Sequence, residues 1–373
     1  MSGKKSYRFG VRRQRGVTLV ELMIAMVLGL LVTGGVIQVF VANRTTYAFN
    51  EGLSRLQENG RFALDTLAYR IRLAGHFGCL WGVPITNNLN GPASFAFDFD
   101  QGLAGYEATG TGVGNTFAAA ATNPANATDL TNWVPTLPAA LANSVVPGSD
   151  VLVVRNGSAG GNSLTVPFNS ASSVFVDAAV SDYQVGDIAV LADCQKASIF
   201  QVTSVTDTGT SIRLDHVGAG TPGNALPNWG VSQEFGNGSE VRLAETWVYF
   251  VGTPAGGGAP ALFQSRIGVD TASTTAALAP EQLVDSVDTM QVLYGVDAAL
   301  DGAVDQYVTA SAVADWDTVV TVRVSLVMRS PQEYGNEVDD RTYNVNEMTF
   351  NPVDDRRERQ VFTTTIALRN RLP

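Results

Sequence analysis

The side chains able to do chemistry are few and widely spread. His76 and His216 are the two histidines, and Cys79 and Cys194 the two cysteines. A zinc centre needs closely spaced nitrogen and sulfur ligands, and a thiol nucleophile needs a base beside it. Neither pattern occurs, and Gly-x-Ser-x-Gly and phosphate-cradling glycine loops are absent. A carboxylate-based hydrolase would need one defined pair of acids, yet nothing in the spacing of the 35 acids singles one out. The sequence reads as a non-enzyme without a cofactor.

One acidic cluster has the outline of a cation loop. Asp297, Asp301 and Asp305 take its first, fifth and ninth places, with Gly302 at the sixth, where a calcium loop turns sharply. Ala299 and Val308 stand where that loop needs its other oxygen ligands. An acidic β-turn is the first reading, with calcium as the alternative. Asn156-Gly157-Ser158 and Asn237-Gly238-Ser239 match glycosylation spacing and read as Asn-Gly turns.

A lone acid, Glu21, opens the run from Leu22 to Ala42, which carries no charged side chain. At 1.5 Å per residue such a helix reaches roughly 30 Å, about the hydrocarbon thickness of a bilayer. The run is too long for a signal-peptide core, and no small-x-small cleavage site follows it. An ionisable group inside a membrane segment costs about 2.5–3.5 kcal/mol, so it needs a purpose and a partner. The other reading leaves Glu21 at headgroup level, in water. Gly29, Gly34 and Gly35 lower helix propensity by roughly 1 kcal/mol each, and fit either local bending or close backbone packing.

Charge is distributed to match. Lys4, Lys5, Arg8, Arg12, Arg13 and Arg15 precede the run without an acid among them, the pattern that keeps an N-terminus cytoplasmic. The remaining 24 − 6 = 18 basic residues face 35 acidic ones, a balance near −17. An acidic body excludes nucleic acid as a partner, because phosphate binding needs clustered cations. If that body lies outside the cytoplasm, Cys79 and Cys194 form one disulfide; two buried thiols are the alternative.

Beyond Arg44 apolar residues recur at spacings of three and four: Leu53, Leu56, Gly60, Ala63, Leu64, Leu67, Ile71 and Ala74. Arg55, Glu58, Arg61, Asp65, Arg70 and Arg72 fill the other faces, so the helix continues to about Ala74 and ends near Gly75. Residues 82 to 148 read as long loops with short elements. Strand patterns then follow at Val151–Arg155, Ile188–Asp193, Ile199–Val205, Ile212–Asp215, Val241–Val251, Leu262–Arg266, Val287–Tyr294, Val319–Met328 and Val361–Leu368. Gly256-Gly257-Gly258 makes a hairpin-like turn, and no amphipathic helix interrupts the later strands, so the sheet is expected to be antiparallel. The fold class is α+β: a long N-terminal helix packed on an antiparallel β-rich head. The expected organisation is a leader at 1–16, a helix at 17–75 with its membrane part at about 22–42, a loop-rich region at 76–148, a β-rich subdomain at 149–275 and a C-terminal antiparallel region at 276–373.

The string Arg15-Gly16-Val17-Thr18-Leu19-Val20-Glu21, after a basic leader and before an apolar helix, resembles the class III signal of type IV pilins and type II secretion pseudopilins. The resemblance implies that a membrane peptidase cuts between Gly16 and Val17 and methylates the new amine of Val17. Glu21 then becomes the fifth mature residue and meets the Val17 amine of a neighbouring subunit inside the filament. Val17 replaces the phenylalanine with which most mature pilins begin.

Further blocks resemble the PilW family of minor pilins: Gln57-Glu58-Asn59-Gly60-Arg61-Phe62-Ala63-Leu64, Gly186-Asp187-Ile188 with Asp193-Cys194, Leu293-Tyr294-Gly295-Val296-Asp297, and Ala367-Leu368-Arg369-Asn370-Arg371. That family implies a low-abundance subunit that starts the pilus, sits near its tip and supports display of an adhesin. Implied partners are other minor pilins, the major pilin, the prepilin peptidase/methyltransferase and the assembly platform of the inner membrane. The implied location is the inner membrane with a periplasmic head, then the pilus surface. A type II secretion pseudopilin is the alternative within the superfamily. A signal-anchored periplasmic enzyme or binding protein is the alternative outside it.

Overall fold

The computed structural model describes residues 16–78, 84–169, 172–177, 179, 182–225, 234–269, 276–334, 337–368 and 371. The leader cations Lys4 to Arg15, Cys79, Arg369 and Asn370 lie outside the described residues. The chain divides into two units, Met1–Glu51 and Gly52–Pro373. Helix α1 (Leu19–Arg72) begins in the first and continues in the second.

In the first unit the helix is apolar on every face from Leu22 to Ala42. The large side chains of that run, among them Leu22, Ile24, Leu30, Ile37 and Phe40, are exposed, and none of the apolar window is buried by the described residues. A helix apolar all round belongs in lipid or in a bundle of similar helices.

The second unit is β-rich. Its early strands are β1 (Ile85–Asn87), β2 (Leu103–Ala108), β3 (Thr116–Ala118), β4 (Trp133–Val134), β5 (Val151–Gly157), β6 (Asn162–Ser163), β7 (Phe168–Asn169) and β8 (Ser173–Val176). Next come β9 (Ile188–Ala192), β10 (Ala197–Gln201), β11 (Ser204–Asp207), β12 (Ile212–Asp215), β13 (Glu234–Phe235), β14 (Glu240–Gly252), β15 (Ala261–Val269) and β16 (Ala276–Val284). The last six are β17 (Val287–Val296), β18 (Gln306–Val308), β19 (Val319–Arg329), β20 (Tyr343–Val345), β21 (Met348–Asn351) and β22 (Arg359–Ala367). The largest sheet runs β1-β10-β9-β14-β5-β2-β4, with β6, β15 and β16 attached through β14. A second sheet runs β18-β17-β19-β22. Described pairings are antiparallel except β1 with β10 and β21 with β3.

The two larger sheets meet the second half of α1 in one core. Leu56, Ala63, Leu67 and Ile71 pack with Leu152 and Val154 of β5, Tyr249 and Val251 of β14, Met290 and Val292 of β17, and Val322 and Val324 of β19. Strand alternation explains the selection, since every second residue of β17 and β19 faces the helix. Each fully buried aliphatic side chain contributes roughly 1.5–3 kcal/mol. The helix comes close where side chains are missing. A Cβ on Gly60 would meet the Phe362 ring at 2.7 Å, and one on Gly52 would meet the Tyr334 hydroxyl at 2.2 Å. Arg70 fixes the helix end: its guanidinium lies 3.8 Å from the Trp247 ring centre and 3.5 Å from Glu245, which also pairs with Arg266 at 3.3 Å.

Two expectations change. The stretch Ile199–Val205 is not one strand: β10 ends at Gln201 and β11 begins at Ser204. Between them the chain leaves β9 for β12, with Val202 donating to the Asp187 carbonyl and Thr203 to the Asp215 carbonyl. Strand β16 lacks a strand pattern in the sequence because Pro280 breaks it; among the described residues it pairs with β15 alone, an edge position where proline is tolerated.

Candidate functional site

The residues around the N-terminal motif form a helix start. Thr18 caps α1, its hydroxyl accepting from the Glu21 amide at 3.3 Å and its carbonyl from Leu22 at 3.1 Å. Thr18-x-x-Glu21 is also capping-box spacing, which gives Glu21 a local role that its apolar surroundings hid. Among the described residues, no cation lies within ion-pair distance of the Glu21 carboxylate. Gly16, Val17 and Glu21 are exposed, so a peptidase or a neighbouring subunit would find all three uncovered by the described residues. Nothing lies within 4 Å of a Cβ built on Gly29, Gly34 or Gly35.

The calcium-loop candidates serve the loop itself. Asp297 accepts from the amides of Asp301 (3.1 Å) and Gly302 (2.7 Å), and Asp305 from those of Ala298 (2.8 Å) and Ala299 (3.0 Å). Asp301 accepts from Ala303 at 2.9 Å. The carboxylates thus replace the backbone partners that a tight connection between β17 and β18 loses. Cys194 lies in the turn after β9 and is not a free thiol. His216 is fully buried between the rings of Phe168 and Phe200, at 5.8 and 5.3 Å.

Residues 248–370 match the family described as Type IV Pilus-assembly protein W, and residues 11–37 match the prokaryotic N-terminal methylation motif. The chain is a type IV pilus-related pilin whose last third is similar to PilW. Comparison with curated proteins gives no match. Pilin-family domains are structural components of pili, and the motif with its apolar helix fits a membrane-anchored pilin and implies interaction with other pilins and the prepilin peptidase.

The blocks that resembled PilW hold the head together. Tyr294 stands edge-on to Trp316 at 4.8 Å, and its hydroxyl reaches so close to Gly105 that a Cβ there would lie 2.0 Å away. Gly295 is equally closed in, by Thr321 and Tyr307. Gly186 takes a φ of +100°, which favours glycine, while the Asp187 carboxylate accepts from the Gln184 amide at 2.8 Å. Arg371 donates to the carbonyls of Trp316 and Val319, tying the end of the chain to β19.

Two buried polar clusters escaped the sequence. Asp288, Arg329 and Arg359 come from β17, β19 and β22. Asp288 pairs with Arg329 at 3.1 Å and Arg359 at 2.8 Å, and Arg359 also holds Asp355 at 2.8 Å and Asp339 at 3.3 Å. Burial pushes the Asp288 carboxyl up against the pull of the two arginines. The second cluster joins Asp150, Glu107 and Tyr294. Asp150 bridges the two larger sheets, accepting from the amides of Ala108 in β2 and Val292 in β17, each at 2.9 Å. Burial lifts Glu107 to about 7, and burial together with the Glu107 charge lifts Asp150 well above the usual carboxylate range. A single charged residue inside an apolar strand was the available signal, as in Val287-Asp288-Thr289-Met290. Only the strand register shows which charges meet.

Proposed function

We propose that this pilin is a minor subunit that helps to initiate a type IV pilus, lies near its tip and supports display of an adhesin. The observation that carries the reading is a methylation motif leading into a wholly exposed apolar helix, in a chain whose last third matches a pilus-assembly family. In this reading the peptidase cuts between Gly16 and Val17 and methylates Val17. The head faces the periplasm while the helix remains in the inner membrane, and later stands on the pilus surface.

The Glu21 carboxylate then pairs with the Val17 amine of a neighbouring subunit. In a water-free helix bundle an unpaired charge is costly, so the pair fixes register between subunits more than it adds stability. Cys79 and Cys194 close one disulfide in the head, supported by the bonded state of Cys194 and the absence of a third cysteine. The further partners are other minor pilins, the major pilin, the assembly platform and a tip adhesin.

Two measurements test the reading. The intact mass of the chain, taken from cells with and without the peptidase, should correspond to methylated Val17 only when the peptidase is present. Glu21→Ala should still be processed but should drop at least tenfold in sheared pili. An uncut chain, or full incorporation of Glu21→Ala, would refute it. Co-isolation with a secretion pseudopilus alone would move the protein to that machine.

A further inference from the structure

We propose that the head contains a binding cavity for a neutral aromatic group bearing one hydrogen-bond acceptor. A cavity of about 290 Å³ lies beside the Asp288–Arg329–Arg359 cluster. Phe117 and Phe350 form one wall, stacked 6.5 Å apart at 13°. Phe117 is seated directly against Gly148, whose φ of +78° and missing side chain let the ring approach; a Cβ there would lie 2.0 Å from it. Pro147, Pro352 and Val353 complete the apolar lining, and the exposed Ala118, Ala120 and Ala121 form a rim.

Two features of the lining define the occupant. The charges cancel across one paired network: Arg329 and Arg359 in the lining face Asp288, and behind them Arg341 and Arg357 pair with Asp339, Asp355 and Glu358. An ion entering the cavity therefore gains no net attraction and loses its hydration. One donor is left over. Arg329 gives its terminal nitrogens to Thr122, Asn123 and Asp288, but its buried Nε has no hydrogen-bond partner among the described residues. An unmet buried donor is costly, and an acceptor brought by a ligand relieves that cost. Apolar walls of this extent favour a flat apolar body, which recovers the dispersion contacts a void forfeits. The roof, Ala119–Pro124, is fastened by the same arginine that supplies the donor, so occupancy and roof position are coupled.

The aromatic group has two possible sources, a free small molecule or a side chain presented by a neighbouring subunit. The probes are 4-fluoroacetophenone, which carries a carbonyl acceptor, and 1-ethyl-4-fluorobenzene, of the same shape without it. Fluorine NMR of the full chain in detergent should show a saturable bound resonance for the ketone. Its affinity should exceed that of the hydrocarbon about tenfold, and Ala119→Phe or Val353→Trp in identical micelles should abolish the resonance. Absence of saturation, survival of the signal in both filled variants, or equal affinity of the two probes for the wild type would overturn the proposal. The last comparison needs no variant to fold. In sheared filaments, exclusion of the ketone identifies a neighbour's side chain as occupant, and undiminished binding identifies a free ligand.

Discussion

Glu107→Gln should make the head more stable at alkaline pH while leaving it almost unchanged at pH 5. The Glu107 carboxyl is buried beside Asp150, and its pKa rises from the usual 4.5 to about 7, chiefly through burial. The folded state therefore binds this proton more tightly than the unfolded chain does. Stability from this group is fully present below pH 4.5 and is lost as pH climbs through 7. At 1.36 kcal/mol per pH unit the full loss is about 3 kcal/mol. Asp150 competes for the same proton, so about 2 kcal/mol is the expected share. Glutamine keeps an oxygen for the Thr111 hydroxyl, which donates to Glu107 at 3.2 Å, and carries no charge to repel Asp150. Urea unfolding of the full chain in detergent, followed by tryptophan fluorescence from pH 5 to 8.5, measures the difference. Trp133 is a nearby reporter, pairing with Ala108 and donating to the Ser149 carbonyl at 2.8 Å. The variant should gain about 2 kcal/mol on the wild type between pH 5 and 8.5. Parallel stability curves would refute a shared proton at this seam.

Gly60→Leu should cost about 1–3 kcal/mol by thermal unfolding, because its side chain enters the space of the Phe362 ring. Equal stability would mean that the helix face does not close on β22. Cys194→Ser should cost about 2–5 kcal/mol under oxidising conditions and nothing after reduction of the wild type. A free thiol count of two in the unreduced chain would remove the proposed bridge. Asp297→Ala should cost about 1–3 kcal/mol by leaving the Asp301 and Gly302 amides unpaired, equally with calcium or with a chelator. A calcium-dependent rise in wild-type melting temperature would return this loop to the cation reading.

The helix and most strands were legible because their apolar periods are long and unbroken. Leu56, Ala63, Leu67 and Ile71 keep helical spacing, and Val322, Val324 and Leu326 keep strand spacing. Val202 misled for a related reason: an apolar residue continued the pattern of β10 although the backbone had already turned toward β12. The Thr18 cap was visible as a Thr-x-x-Glu string, yet the apolar run beyond Glu21 drew the reading toward the membrane. The buried ion network was not legible at all. Arg329 ends one strand and Arg359 opens another, and only the β19–β22 register sets them opposite each other. Such contacts depend on strand order, which local spacing does not encode.

The treatment of charge in the head bears on the lone acid of the apolar helix. Among the described residues, buried head carboxylates are compensated or hold their proton: Asp288 faces two arginines, Asp355 faces Arg359, Asp150 accepts from two backbone amides, and Glu107, without a cation, is pushed up to about 7. Among the described residues, Glu21 has only its own helix start, whose first-turn amides favour an acid by roughly 0.3–1 kcal/mol at an exposed surface. That is less than the cost of carrying the carboxylate into a medium without water. In the cleaved chain the deficit is met by interfacial water while the helix is in a bilayer, or by a cation on a neighbour once it enters a bundle. A lysine in place of Glu21 reverses the requirement without changing helix length or apolarity. Glu21→Lys should therefore fail in assembly as completely as Glu21→Ala, whereas Glu21→Asp should retain part of the function. Incorporation of the lysine variant at wild-type levels would show that hydrophobicity alone drives entry into the filament.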